Sequence, residues 1–107
     1  MSTIYFMTDG FDIKIGRSNN TNRRIKELQT GNSQPLKIIG AIETHIPEGS
    51  YHRDVGHWHC PGGGKEWFQG VKPVIRYVAM CLNVPENYVK TLIKKPSQRA
   101  GHLRVVR

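Results

Sequence analysis

The stretch TIYFMTDGFDIKIGR, residues 3–17, decides the fold. Ile4 and Phe6, then Ile13 and Ile15, recur at every second position, which is the period of half-buried strands. Asp9-Gly10 between the two runs is the dipeptide of a two-residue hairpin turn. Such a turn predicts Thr8 opposite Phe11, Phe6 opposite Ile13, and Ile4 opposite Ile15. The same register sets Tyr5 opposite Lys14, both on the face that the apolar residues do not use. Taken singly, Tyr5 is an ordinary strand-surface residue and Lys14 an ordinary solvated lysine. A phenol held beside an ammonium raises a chemical question.

Downstream, Ser18 to Asn22 supply N-cap candidates for a helix in which Ile25 and Leu28 fall on one face, and Thr30-Gly31-Asn32 stops it. Residues 36–44, LKIIGAIET, read as a third strand with Ile38 or Ile39 pointing inward. Pro47 is placed to open a second helix, although Gly49 and Gly56 disfavour a helical interior. The segment CPGGGKEWF reads as a loop ending in a buried Trp67-Phe68 pair. Two further helices are expected at about 71–82 and 85–95, followed by a basic tail. The order predicts an α+β fold: a small core of β-hairpin, helix, third strand and helix at residues 1–70, with a basic helical extension at 71–107.

Charge is distributed unevenly. The chain has 107 residues and a formal net charge of +8. Residues 1–70 carry eight basic and seven acidic side chains, whereas residues 71–107 carry eight basic side chains and Glu86 as the one acid. A basic third of this kind is the electrostatic footprint expected of a nucleic-acid binder, with an acidic protein or a membrane surface as the alternative partner. Arg76 interrupts the longest apolar run, so no membrane span is expected, and the start lacks the features of a signal peptide. Cys60 and Cys81 are too few for a disulfide framework. The expectation is a soluble, cytoplasmic protein.

The residues also form an ordered pattern. Thr3-Ile4-Tyr5 is followed by Lys14-Ile15-Gly16-Arg17, by Arg24 and Leu28 of an R-x-x-x-L helix, and by QTGN at 29–32. Glu48 and His52 then form E-x-x-x-H, and Glu66-Trp67-Phe68 closes the series. This pattern resembles the GIY-YIG endonuclease superfamily, in the phage-type branch whose second motif reads KIGR. The resemblance covers about residues 3–68. It implies a GIY-YIG-like fold and a metal-dependent DNA endonuclease that hydrolyses a phosphodiester with an activated water, leaving 5′-phosphate and 3′-hydroxyl ends.

The resemblance also implies roles. Tyr5 would contact the attacking water and act as, or assist, the general base, with Lys14 and Arg24 lowering the phenol's pKa. Arg24 would grip a nonbridging phosphate oxygen through its donor fork, and Arg17 would make a further phosphate contact. Glu48 would be the protein carboxylate on Mg²⁺ or Mn²⁺, with Glu66 as its rival, and His52 would position water or protonate the leaving group. Thr3 stands where the family name has glycine, and Lys14 where it has tyrosine. The alternative is a catalytically weak nuclease-fold DNA-binding protein acting as a regulator or accessory subunit. Cutting both DNA strands would call for a homodimer or two successive nicks.

Two other patterns bear on partners. His52, His57, His59 and Cys60 crowd into nine residues, unlike the paired arms of structural zinc sites. The segment 74–95 resembles a helix-turn-helix, with Asn83 in place of the turn glycine and Asn83-x-x-Glu86 as a possible cap for the second helix. Its second helix would expose Lys90, Thr91 and Lys94, and with Lys95 and Arg99 of the tail these are candidate DNA contacts.

Overall fold

The computed structural model describes residues 2–30, 35–62 and 64–94. In chain order the elements are β1 (Ser2–Thr8), β2 (Asp12–Ser18), α1 (Thr21–Thr30), β3 (Lys37–Thr44), α2 (Glu48–Asp54), β4 (Trp67–Gln69), α3 (Lys72–Leu82) and α4 (Glu86–Leu92), with a short 3₁₀ turn at Gly56–Trp58. The four strands form one antiparallel sheet in the order β3-β1-β2-β4, so the expected α+β architecture holds. The expected stop at Gly31-Asn32, the tail with Lys95 and Arg99, and Gly63 of the glycine run lie outside the described residues.

The hairpin corrects the expected register. Thr8 pairs with Ile13, Phe6 with Ile15 and Tyr5 with Gly16, so Asp9 to Asp12 all lie between the innermost pair. Side chains within the loop explain the longer connection. Asp9 Oδ1 accepts from the backbone N–H groups of Phe11 (3.0 Å) and Asp12 (2.9 Å). Thr8 Oγ1 accepts from Gly10 N–H (2.9 Å) and donates to Asp12 O (2.7 Å). These bonds satisfy a wider loop locally, an option that a bare Asp-Gly rule ignores. Gly10 takes a positive φ of 94° within it. Because the slip is two residues, every side chain keeps its expected face.

One face of the sheet carries the core. Ile4, Phe6, Ile13 and Ile15 pack with Tyr51 of α2, Val55, Phe68 of β4, Val74, Ile75, Val78 and Ala79 of α3, and Val89 of α4. Tyr51 meets Phe6 edge-on, with ring centroids 6.2 Å apart. On β3 a bulge opposite Phe6 and Met7 admits one extra residue, turning Ile39 into the core and leaving Ile38 exposed.

Local capping follows the sequence in most places. Asn20 Oδ1 accepts from Arg23 N–H at 3.0 Å and starts α1. Pro47 occupies the N-cap position of α2 without a side-chain cap bond, and the helix runs through Gly49 in its first turn. Asn83 ends α3 in the left-handed region at φ 55° and ψ 49°, the geometry expected where a glycine is usual. The expected cap of α4 by Asn83 and Glu86 is not formed: Pro85 occupies the cap position, and Glu86 pairs with Arg76 at 3.3 Å. The segment expected to be a loop ending in Trp67-Phe68 contains a fourth strand, in which Phe68 is buried and Trp67 only partly so.

Replacing Asp9 by Ala leaves two backbone N–H groups of the turn without their acceptor. The expected cost is about 1–2 kcal/mol of stability in urea unfolding, with an unchanged m-value. A loss no larger than that of an exposed Glu27→Ala control would contradict the assigned turn.

Candidate active site

The site is built around the backbone of Ile15. β4 is short and pairs only with Asp12 to Lys14 of β2. Just beyond that ladder, Ile15 N–H donates to the carbonyl of Glu66 at 2.9 Å. Its C=O accepts from His52 Nε2 of α2, also at 2.9 Å. A carbonyl only accepts, so this bond places the imidazole proton on Nε2 and leaves Nδ1 as the acceptor atom of the neutral ring. One strand residue thereby sets both a carboxylate-bearing residue from β4's approach and a histidine from α2. The His52 ring also rests on Phe68, with centroids 5.3 Å apart.

Glu48 lies one helical turn before His52, with its Oε2 3.4 Å from His52 Nε2. That nitrogen is committed to Ile15 O, so Glu48 Oε2 accepts no bond from it, and the Glu48 carboxyl hydrogen-bonds instead with the Glu66 carboxyl. Burial pushes the Glu48 carboxyl above its ordinary range, and the adjacent Glu66 pushes it the same way, against the pull of His52 and Arg17. Glu66 behaves oppositely. Burial opposes its ionisation, but Lys14 Nζ, 2.8 Å from Oε1, holds the carboxyl below its ordinary range. Lys14 also sits over the Trp67 ring, 5.5 Å from its centroid.

From the opposite strand neighbour comes Tyr5, which is only 1% exposed. Its ring lies across Gly16, where an added Cβ would collide with the phenol oxygen. The glycine of the KIGR motif is therefore a steric requirement for Tyr5's position. Arg24, projecting from α1, donates to the Tyr5 hydroxyl and pairs with Glu27 at 3.5 Å. The expectation that nearby cations lower the phenol's pKa is overturned. Burial dominates and raises it, Glu66 and Glu48 add to the rise, and the Arg24 bond offsets only part. Tyr5 therefore keeps its proton at neutral pH, and its hydroxyl can donate a hydrogen bond. The expected Tyr5-Lys14 pairing is likewise replaced: Gly16 lies opposite Tyr5, and Lys14 turns to Glu66.

Tyr5, Lys14, Arg24, Glu48 and His52 are thus gathered into one electrostatic neighbourhood, with exposed Arg17 acting on Glu48. Glu66 is the addition; its place in EWF marked it only as a rival metal ligand, because its partner Lys14 is far away in sequence. Lys90, Thr91 and Lys94 are exposed but are not part of this cluster. Lys94 N–H bonds to Gly10 O at 2.7 Å, which puts the end of α4 at the turn end of the hairpin, away from Gly16.

Among the described residues no three His, Cys, Asp or Glu side chains form a metal cage. The donor set does fit a hard ion that keeps most of its waters: two adjacent carboxyl groups, Glu48 and Glu66, joined by a side-chain hydrogen bond whose proton a cation would replace. Glu48 would hold such an ion, with Glu66 as the neighbouring oxygen donor.

Comparison with known families matches residues 2–83 to the T5orf172 domain, and the chain belongs to that family. The family is a phage-associated, nuclease-like domain, related to GIY-YIG but distinct from it. The expected resemblance to GIY-YIG nucleases holds at the coarser level of a related nuclease-like family. Comparison with curated proteins and with solved structures gave no match.

Gly16→Ala should displace the Tyr5 ring while leaving the core face of β2 untouched. If the cluster is catalytic, its activity is expected to fall about 100-fold, the order of effect of misplacing a reacting group by about 1 Å. Full activity in a folded Gly16→Ala protein would detach Tyr5 from the site.

Proposed function

We propose that this T5orf172-domain protein is a metal-dependent DNA endonuclease that hydrolyses a phosphodiester with an activated water. The observation that carries the reading is the convergence on Ile15-Gly16 of a protonated phenol, a guanidinium, a carboxyl pair and a histidine of fixed tautomer. The nuclease-like family and the basic C-terminal third agree with DNA as the partner.

Each group then has a task. Arg24 binds a nonbridging phosphate oxygen, and its bond to Tyr5 holds it in place before substrate arrives. Tyr5 donates to the attacking water or to a phosphate oxygen, in a site whose burial strengthens that bond. His52, anchored through Nε2, takes the proton from water at Nδ1. Lys14 keeps Glu66 ionised and fixed. Arg17 meets the phosphate chain at the open end of β2. Bound Mg²⁺ or Mn²⁺, held by Glu48 beside Glu66, would supply positive charge to the developing oxyanion and the leaving oxygen. The described residues of each chain hold one such cluster, so cutting both strands takes two chains or two successive nicks. Among the described residues no helix is long and apolar enough to cross a membrane.

A DNA-binding protein with little catalysis is the second reading, favoured by the proton held on Tyr5 and by the neutralisation of Glu66 by Lys14. Nicking of supercoiled plasmid in Mg²⁺ or Mn²⁺, with DNA binding measured alongside, separates the two. Glu48→Ala is expected to lose about 10³-fold or more and Tyr5→Phe about 10–100-fold, both with binding retained. Wild-type protein that binds duplex, branched and single-stranded DNA without cutting any would leave the second reading. Activity surviving Glu48→Ala would move the ion away from that carboxylate.

A further inference from the structure

Between the start of α3 and the end of α4 lies a cleft of about 460 Å³, bordered by Lys72, Lys90 and Lys94 and floored by Val71, Ile75 and Ile93. The three lysines are exposed, and among the described residues none is ion-paired. Among the described residues the one acid on the rim, Glu86, is occupied by Arg76 at 3.3 Å. The cleft therefore presents a net positive rim over an apolar floor, and the eleven-residue α3 opens there without a side-chain cap.

Size and chemistry narrow the occupant. The volume falls in the roughly 300–1,000 Å³ range of small-molecule sites. An intact duplex is a convex cylinder that would touch the lysines but leave the apolar floor empty. A whole nucleotide fills both parts: its phosphates meet the ammonium groups, and its sugar and base cover the aliphatic floor. In a paired duplex the base is stacked and out of reach, so the nucleotide must be unpaired.

The cleft and the candidate active site adjoin opposite ends of β4. Glu66 precedes β4 and Gly70, which lines the cleft, follows it. Four residues of extended chain span ~13 Å at ~3.3 Å each. That is the axial rise of about four base pairs at ~3.4 Å each. We infer that the α3–α4 cleft receives an unpaired nucleotide of the DNA substrate, about four positions from the phosphate at the Tyr5-Glu48 cluster. The inference rests on the nuclease reading for the distance to the cut, and on the cleft alone for the binding. The protein would then prefer DNA with bulged, branched or single-stranded character over a plain duplex.

The test is fluorescence anisotropy in EDTA, where no cutting occurs, comparing a short duplex with the same duplex carrying a single unpaired nucleotide. Wild-type protein should bind the bulged duplex about tenfold more tightly. Lys72→Ala and Lys94→Ala should each reduce that ratio to about two or less, whereas Lys26→Ala, on exposed α1, should leave it unchanged. Equal binding of the two duplexes by wild type would overturn the inference. So would a ratio that survives both cleft variants, or a poly-glutamate peptide that displaces bulged DNA as effectively as unlabelled bulged DNA does. A free mononucleotide that binds the cleft at micromolar concentration, with no preference for the bulge, would overturn it in favour of a small-molecule site. A bulge preference in a protein that never nicks plasmid would support the cleft while removing the nuclease reading, so the two claims fail separately.

Discussion

The candidate active site depends on the peptide groups on either side of Ile15. Its side chain is fully buried in the core, and its N–H and C=O reach outward to Glu66 O and His52 Nε2. β4 is only three residues long, so β2's edge is shared between a strand and a helix. A longer β4 would satisfy that edge with another strand and exclude α2. The shortness of β4 is therefore what admits Glu48 and His52 to the site. Buried backbone groups need partners, and here the partners bring functional side chains with them.

The second constraint is steric. Tyr5 lies flat across the sheet only because Gly16 has no side chain, and that brings the phenol to the same end of β2 as Glu48. The resulting site is partly dry. Burial raises the Tyr5 and Glu48 pKa values together, and Lys14 spares Glu66 from the same fate. Two carboxyl groups in one neighbourhood are thereby pushed apart in proton affinity. Such a separation is the usual mark of groups with different tasks. It leaves Glu48 as the carboxylate that gains most from a cation.

Much of this was legible in the sequence because it rests on local periodicity. The alternation across residues 3–17 assigns faces correctly even with the turn misread, since a two-residue slip preserves them. Asn83 and Asn20 declare their caps through their own side chains and backbone. What was illegible depends on distant partners. Nothing near Tyr5 says that it is buried, because its cover comes from Gly16 and Arg24. Nothing near Lys14 names Glu66 as its partner. β4 escaped notice because three residues carry no periodic signal. The turn failed for a different reason: the Thr8 and Asp9 side chains compete with the backbone pattern that Asp-Gly usually specifies.

The most direct measurement of the central claim is anomalous diffraction from crystals grown with Mn²⁺. The account predicts a Mn²⁺ peak within about 2.2 Å of a Glu48 carboxylate oxygen, with waters completing the shell, as expected for a hard ion held by few protein ligands. It also predicts that the peak disappears in Glu48→Ala crystals whose hairpin and α2 are unchanged. A well-occupied peak elsewhere, with none at Glu48, would contradict the assignment of the Ile15-Gly16 cluster as the catalytic centre.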